Sequence, residues 1–364
     1  MEESRKYETA KYLVSIAGFV INTGLLIYLL VSGLTLKIRD FAARAGADWA
    51  GVLVYSVVIG VLFTVVEVPL DFLSGYYLEH HFGLSRQTIG GWIKDQIKGL
   101  VLGAVFGLAG IEIIYALLRG APQHWWIYAA LAFIGFFVVL ANLAPVLIMP
   151  LFFKFTPVEN DDLRRRVDRL AARAHATVRG IYEWSLGDKT RKANAAVVGW
   201  GNSRRIIVSD TLLRNFSGEE IEVIMAHELC HHVKAHIWLG IALQSVLTFV
   251  SFYTINFALH RFGHAFRGIS DVANLPLLAL TAGAVSLCVL PLVNVFSRAL
   301  ERAADRFAID ITGDPLAFVS SMEKLGDLNL ANKSPNPIIE FLFYSHPSIE
   351  NRIKLAANSV GQNV

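Results

Sequence analysis

The residues with the clearest chemical potential are five consecutive ones, His227 to His231, which form an H-E-x-x-H motif. On an α-helix, residues four apart lie about one turn apart on the same face, so His227 and His231 can bind one metal ion together. Imidazole nitrogens are common zinc ligands, and Glu228 projects beside them toward a metal-bound water. The motif therefore predicts a zinc-dependent hydrolytic site.

A catalytic zinc needs three protein ligands and one open position for water, so a third ligand must come from elsewhere in the chain. Glu301 is the candidate, because it follows an apolar segment that forms an antiparallel hairpin with the one after the motif. Asp305, one turn further, can accept the second ring N–H of a ligand histidine. The alternative is that both acids pair with arginines on an exposed helix. Those arginines are Arg298, Arg302 and Arg306.

The elements that must position these residues are membrane-spanning helices. The 364 residues are 54% hydrophobic and only 17% charged, and the mean hydropathy is +0.48, which is more apolar than a typical globular domain. Six stretches approach or exceed the roughly 20 residues that cross about 30 Å of hydrocarbon. We predict a mainly α-helical polytopic membrane protein of six spans with a small α+β zinc-peptidase domain. The stretches cover residues 12–36, 50–73, 97–118, 125–149, 237–259 and 275–296.

The spans divide the chain into four parts. Residues 1–150 form a four-span membrane region, and residues 151–236 form a soluble segment with the zinc motif. Residues 237–297 form a transmembrane hairpin, and residues 298–364 form a second soluble segment with the third ligand. The two soluble segments must pack together to bury their apolar faces.

The basic residues predict the orientation of the protein. Of the 33 Lys and Arg residues, 27 fall on the side that holds the two soluble segments, and positive residues accumulate on the cytoplasmic side. We therefore expect an integral protein of a bacterial cytoplasmic membrane whose site faces the cytoplasm. No basic run is interleaved with aromatic residues in the way that a nucleic-acid site requires, so we expect a lipid bilayer as partner and no nucleic acid.

Local patterns predict the elements of the soluble part. Residues 161–176 have apolar positions at helical spacing, and residues 194–199 and 205–208 have the composition of short strands. Ser217 and Glu220 fit a capping box that begins the helix with the zinc motif. We expect this helix to continue through Trp238 into the fifth span.

Six motifs in a fixed order resemble the gluzincin metallopeptidases, and more narrowly the integral-membrane CAAX prenyl proteases. The chain has one span fewer than the seven of the eukaryotic members. The motifs are residues 78–88, residues 149–157, Asn194-Ala195 with Gly199, residues 227–231, Ser297-Arg298 with Glu301 and Asp305, and His346-Pro347 with Arg352.

The resemblance implies a role for the central residues. His227, His231 and Glu301 would bind one zinc ion per chain. Glu228 would be the general base that activates the water and then passes its proton to the leaving amine.

It also implies roles for the flanking motifs. Asn194, Ala195 and Gly199 would belong to an edge strand that binds an extended substrate by main-chain hydrogen bonds. His346 and Arg352 would lie near the metal, where a donor can stabilise the oxyanion of the tetrahedral intermediate. From its own sequence context, a histidine before proline is more often a turn residue.

Other titratable residues have less specific interpretations. Glu67, Asp71 and Glu112 lie in or near spans, where they either line a polar chamber or form interhelical hydrogen bonds. His232 and His236 follow the zinc motif, and we expect them to be solvated.

These observations predict a membrane zinc metalloendopeptidase that hydrolyses peptides or proteins, either prenylated or membrane-associated. Three alternatives differ from it in testable ways. A quality-control protease of the HtpX heat-shock type has the same zinc motifs but fewer spans. An intramembrane protease would have the motif inside an apolar stretch. A zinc-dependent membrane scaffold or transporter would not need Glu228.

Overall fold

Within the residues that it describes, the computed structural model contains six helical stretches long and apolar enough to cross a membrane, as predicted. The structure describes residues 2–199, 204–263 and 266–361. Large apolar side chains remain exposed along these helices, including Val31, Val65 and Val105, and exposed apolar surface of this extent is typical of contact with lipid. The chain is an integral membrane protein. The six helical stretches are Glu2–Val31, Asp48–His81, Ile89–Gly120, Trp125–Phe152, His236–Phe262 and Val272–Thr312.

The first four spans contain six of the seven α-helices described before the soluble domain, and the remaining one, Leu34–Ala42, lies between the first and second spans. The first span was predicted to reach Leu36, but its helix ends at Val31 because Gly33 has a φ of 70°, a left-handed conformation that glycine adopts at little cost. Stretches of π-helix at Phe72–Tyr77 and Ala144–Ile148 join neighbouring helices. The helices are α1 (Glu2–Val31), α2 (Leu34–Ala42), α3 (Asp48–Asp71), α4 (Leu78–His81), α5 (Ile89–Gly120), α6 (Trp125–Leu143) and α7 (Met149–Phe152).

A four-stranded sheet and three helices follow. The strand order is β1-β2-β4-β3, in which β2 and β4 are parallel and the two outer pairs are antiparallel. Both predicted strands are confirmed, and β3 lies at the edge of the sheet. The elements are β1 (Phe155–Pro157), α8 (Asp161–Arg173), β2 (Ile181–Trp184), β3 (Ala195–Val198), β4 (Arg205–Ser209), α9 (Asp210–Asn215) and α10 (Gly218–Val233).

The helix α10 carries the zinc motif and is the centre of the soluble domain. It begins with the predicted capping box, in which the Ser217 side chain accepts from Glu220 N and the Glu220 carboxylate accepts from Ser217 N. It packs against the sheet, α8 and two later helices. The core around it is formed by buried residues that include Leu170, Ile206, Val208, Leu212, Met225, Leu229, Ala308 and Phe318.

The expectation of one continuous helix from the zinc motif into the fifth span was wrong. α10 ends at Val233, Ala235 has a φ of 57°, and α11 begins at His236. The break allows α10 to pack in the soluble core while α11 packs against the membrane helix α6.

The sixth span and the second soluble segment complete the fold. α12 (Leu275–Thr312) runs without interruption from the membrane into the soluble domain and ends at Gly313, whose φ is 69°. It therefore carries residues 301 and 305 on the same rigid element as the span. Three further helices follow, α13 (Pro315–Leu328), α14 (Pro337–Phe343) and α15 (Ile349–Gly361).

Candidate metal centre

Two histidines of α10 and one glutamate of α12 come together where both helices approach the membrane spans. Nε2 of His227 lies 3.1 Å from Oε2 of Glu301, and Nε2 of His231 lies 3.4 Å from Oε1 of Glu301. One ligand atom from each side chain lies within 4.8 Å of the other two. Among the residues that the structure describes, no other group of His, Cys, Asp and Glu has this arrangement.

The three side chains fit a zinc ion. Ligands about 2.0–2.1 Å from a tetrahedral zinc lie about 3.3 Å from one another, and the two histidine Nε2 atoms are 3.4 Å apart. Oε2 of Glu301 is buried and accepts no hydrogen bond within the described ranges, although His227 Nε2 is 3.1 Å away. A buried oxygen without a hydrogen bond is costly, and a cation between the three side chains would satisfy it.

In the described part of the chain, Glu301 does not form the alternative ion pairs with arginines of its own helix. Arg298 is buried and its Nη1 donates to the carbonyls of Glu340, at 2.8 Å, and Tyr344, at 2.5 Å. Arg298 therefore fixes the segment that leads to His346. Arg302 is exposed, and the described ion pairs of Glu301 are with His227, His231 and His346.

Asp305 holds the ring of His227 from the side opposite to Glu301. Its Oδ1 lies 2.9 Å from Nδ1 of His227, and the aspartate is fully buried. Arg352 donates to the same carboxylate from Nη2, at 2.5 Å, and from Nε, at 2.9 Å. A His227 that donates its Nδ1–H to Asp305 directs its Nε2 lone pair at the metal position.

The two histidines have opposite pKa shifts. Burial alone would lower the pKa of His227, but the adjacent carboxylates of Asp305 and Glu301 raise it to about 9. Burial and the nearby His227 lower the pKa of His231 to about 4. The carboxylates around His227 thus favour a positive charge at this position, and His231 stays neutral with a lone pair available.

Glu228 lies beside this cluster and lines a cavity of about 370 Å³. Its side chain makes no hydrogen bond or ion pair with any residue in the described part of the chain. Burial raises the pKa of Glu228. A carboxylate that is held near a metal position and kept free of partners is suited to accept a proton from water.

His346 and Arg352, both expected near the metal, differ in their surroundings. Nε2 of His346 lies 3.5 Å from Oε2 of Glu301, 59% of its side chain is exposed, and it lines the cavity. Arg352 is mostly buried and is bound to Asp305 through two hydrogen bonds. His346 is therefore free to donate to a substrate oxygen, whereas the guanidinium of Arg352 fixes the position of Asp305.

The edge strand β3 borders the same cavity through Asn194 and Ala195. Asn194 N donates to Ser209 Oγ, and Ser209 N donates to the carbonyl of Asn194, each at 2.9 Å. Oδ1 of Asn194 accepts from Ala195 N at 2.8 Å. Gly199, with a φ of 88°, ends the strand. The structure thus places the three expected substrate-binding residues along one edge.

The expectation that His232 and His236 are solvated was wrong. Nε2 of His232 lies 2.9 Å from the carbonyl of Val197, so this ring joins α10 to β3. His236 is buried, and its Nδ1 lies 3.2 Å from Nδ1 of His231. The contact between His236 and His231 depends on the break between α10 and α11, because the break turns His236 back toward the zinc motif.

The acids in the membrane region have few partners. Glu67 accepts a hydrogen bond from Asn22 of α1, and Asp71 accepts from Gln96 at 3.3 Å. Oε1 of Glu112 is buried without a hydrogen-bond partner among the described residues. Interhelical hydrogen bonding therefore accounts for the first two acids and not for Glu112.

The sequence analysis did not recognise Asn329, which lines the cavity, or Glu8, which contacts two residues that line it. Asn329 binds the main chain of Ala193, and Glu8 of α1 contacts Asn332 and Tyr344. Each contact joins positions more than 100 residues apart and follows no local pattern, so only the fold reveals them.

Comparisons with known proteins agree with this geometry. Residues 157–359 match the model of peptidase family M48, and residues 1–154 match the model described as CAAX prenyl protease N-terminal, five membrane helices. The metalloprotease YhfN of Bacillus subtilis is 31% identical over 97% of this chain and 84% of its own length. A CAAX prenyl protease 1 homolog of Arabidopsis thaliana is 29% identical over 84% of this chain and 71% of its own. The crystal structure of S. mikatae Ste24p has the same fold, with a TM-score of 0.86, 24% identity, and coverage of 97% of this chain and 88% of that one.

Proposed function

The chain belongs to peptidase family M48, and on this premise we propose that it is a zinc endopeptidase that binds one Zn²⁺ through His227, His231 and Glu301. The observation that carries the proposal is the meeting of these three side chains beside Glu228, at a cavity bordered by the free edge of β3. Membership of this family shows that the chain is a membrane metalloprotease. The cleavage of internal peptide bonds and the number of zinc ions are our proposals.

Each side chain of the site has a part in the proposed hydrolysis. Zinc supplies Lewis acidity, since it polarises a carbonyl and lowers the pKa of water. Glu228 takes a proton from the attacking water and passes it to the leaving amine, so no covalent enzyme intermediate forms. His346 donates a hydrogen bond to the oxyanion that develops on the scissile carbonyl. Asp305 and Arg352 keep the ring of His227 in one orientation.

The substrate is proposed to be a peptide or protein segment at the membrane surface. α11 begins at His236, five residues after His231, so the site lies within a few turns of the fifth span. Several relatives are named CAAX prenyl proteases, and a prenyl group would bring a soluble substrate to this surface. We therefore propose that the protease acts on prenylated or otherwise membrane-associated chains.

The alternative functions have less support. A protease of the HtpX type has fewer spans than the six that the described residues of this chain contain. An intramembrane protease requires its motif within a span, and α10 is part of the soluble core. A scaffold that uses the histidines only as a metal post gives no reason for an unpaired Glu228 beside them.

Peptide digestion tests the proposed activity. The purified zinc-loaded protein should cleave a peptide between internal residues, and mass spectrometry should recover both fragments. A prenylated copy of the peptide should be cleaved about tenfold faster than the unmodified copy, because its lipid concentrates it at the membrane. A strong chelator should abolish cleavage, and added Zn²⁺ should restore it. Release of single residues only would contradict an endopeptidase.

The proposed orientation has a separate test. Reporter tags at residue 160 and at the C-terminus should both report the cytoplasm, and a tag near Gly268 should report the opposite side, because 27 of the 33 Lys and Arg residues lie on the first side. A signal from outside the cytoplasm at residue 160 would reverse the orientation and the compartment of the substrate.

A further inference from the structure

The helix α14 carries most of the apolar side chains that are exposed outside the spans. Among the described residues of 153–235 and 298–358, four large apolar side chains are exposed, and three of them belong to this seven-residue helix. They are Ile338, Phe341 and Phe343, whose exposed fractions are 67%, 51% and 47%, and the fourth is Leu316. A concentration of exposed apolar side chains on a polar domain marks a site of contact with another molecule or with a membrane.

Two contacts place α14 at the membrane boundary next to the metal position. The ring centroid of Phe343 lies 5.6 Å from that of Tyr12 in α1, and Nδ2 of Asn294 in α12 donates to the carbonyl of Leu342 at 2.6 Å. Tyr12 lies about 30 Å from the far end of α1, and Asn294 lies about 30 Å from the start of α12. This length is the thickness of the hydrocarbon layer. Because α14 is only about 10 Å long, all of it lies close to this boundary.

The helix α12 holds α14 mainly through the main chain of α14. The last carbonyls of an α-helix have no partner within the helix, and Asn294 and the buried Arg298 donate to carbonyls at this end of α14. The side chain of Glu340 is directed to the soluble domain, where its Oε1 accepts from Ser348 N at 2.9 Å. The apolar side chains of α14 therefore remain on its outer surface. The carbonyls bound by α12 are those of Glu340, Phe341, Leu342 and Tyr344.

The outer surface of α14 continues the lipid-facing surface of two spans. Leu13, next to Tyr12 on α1, is exposed, and so are Leu292 and Val295, which lie within one turn of Asn294 on α12. The helices α1 and α12 pack against each other, so these side chains and those of α14 form apolar surface at one level of the membrane. Lipid that covers the two spans at this level therefore also reaches α14.

We propose that α14 is an interfacial helix whose apolar side chains enter the lipid leaflet beside α1 and α12. Interfacial helices bury their apolar side chains about 5–10 Å into the region between headgroups and acyl chains, which agrees with the level and the length of α14. The inference goes beyond the proposed protease activity, because it concerns how the second soluble segment is attached to the bilayer. His346 follows the end of α14 by three residues. The same attachment therefore holds the segment with the proposed oxyanion donor at the membrane surface.

Spin labels measure the depth of α14 directly. Cys288 is exposed within the sixth span and is replaced by serine, whereas Cys230 is buried and is left unchanged. A nitroxide is attached to Phe341→Cys or, in a separate protein, to Ile338→Cys, and each full chain is reconstituted into phosphatidylcholine vesicles. Electron paramagnetic resonance then measures collisions of the nitroxide with oxygen, which is enriched in lipid, and with a water-soluble nickel complex. Nickel collisions at both positions should be about tenfold rarer than at a position in water, because a polar complex enters hydrocarbon at a cost.

Two control positions define the range of the measurement. Leu292→Cys lies on the exposed side of the sixth span and should behave like α14. Leu316→Cys lies at the start of α13, and α12 extends about 27 Å beyond Asn294 before it ends, so this label should meet the nickel complex freely.

Two results would overturn the proposal. Nickel collisions at positions 341 and 338 that are as frequent as those at position 316 would show that α14 lies in water. Rare collisions with both oxygen and nickel would show that a second copy of the chain, rather than lipid, covers α14. The measurement requires no peptide cleavage, so it decides the placement of α14 whether or not the proposed protease activity is correct.

Discussion

Glu228→Gln is expected to reduce peptide cleavage by about 10² to 10⁴-fold while zinc content and fold stay unchanged. Glu228 is not among the three side chains whose ligand atoms converge, so its replacement leaves the proposed metal ligands intact. Glutamine has nearly the same shape but cannot accept a proton from water. Because substrate binding does not depend on this proton transfer, KM should change little while kcat falls.

The measurement compares zinc content and turnover on the same preparation. Glu219→Gln is a matched control, because Glu219 lies on the same helix but is exposed and paired with Arg166. It should keep full activity. Near-normal turnover by a zinc-loaded Glu228→Gln protein would rule out Glu228 as the base and would favour the scaffold interpretation.

The sequence predicts the convergence of His227, His231 and Glu301 because their relative positions depend on few variables. Helix periodicity alone puts His227 and His231 on one face, and a hairpin of two spans returns Glu301 to the same membrane face. The structure adds that α12 is one unbroken helix from the span to Asp305. The distance of Glu301 from the membrane is therefore fixed by its position along that helix.

The contacts that the sequence does not predict depend on the fold as a whole. Ala235 carries no helix-breaking signal, since alanine favours helices, and the break there follows from the different packing of α10 and α11. For the same reason the contact of His232 with Val197 could not be foreseen. Local propensity decides where helices exist, and tertiary packing decides where these two end.

The pairing of Arg352 with Asp305 changes how the C-terminal motif is understood. The resemblance places His346 and Arg352 together near the metal. In the structure, the guanidinium of Arg352 makes two hydrogen bonds to the carboxylate of Asp305. Replacing only one partner of a buried ion pair is strongly destabilising, because the other charge is left buried and unpaired. We therefore regard His346 as the donor toward the substrate and Arg352 as a residue that positions Asp305.

Glu301→Ala is expected to weaken zinc binding more than a hundredfold and to abolish cleavage. The variant removes one of three proposed ligands and leaves two histidines, one fewer than the three protein ligands that a catalytic zinc needs. Asp305→Asn should have a smaller effect, about 10 to 100-fold on zinc affinity, because Asp305 contacts His227 and not the metal position. Elemental analysis and competition with a chelator of known affinity measure both changes on purified protein.

The control for this series is Arg302→Ala, which alters the exposed residue next to Glu301 on α12 and should leave zinc affinity unchanged. The order of the three variants matters more than any single value. If Glu301 is a ligand, Glu301→Ala must lower zinc affinity more than Asp305→Asn does. Stoichiometric zinc in Glu301→Ala would show that another residue is the third ligand, and the buried Oε2 of Glu301 without a hydrogen bond would then need a different explanation.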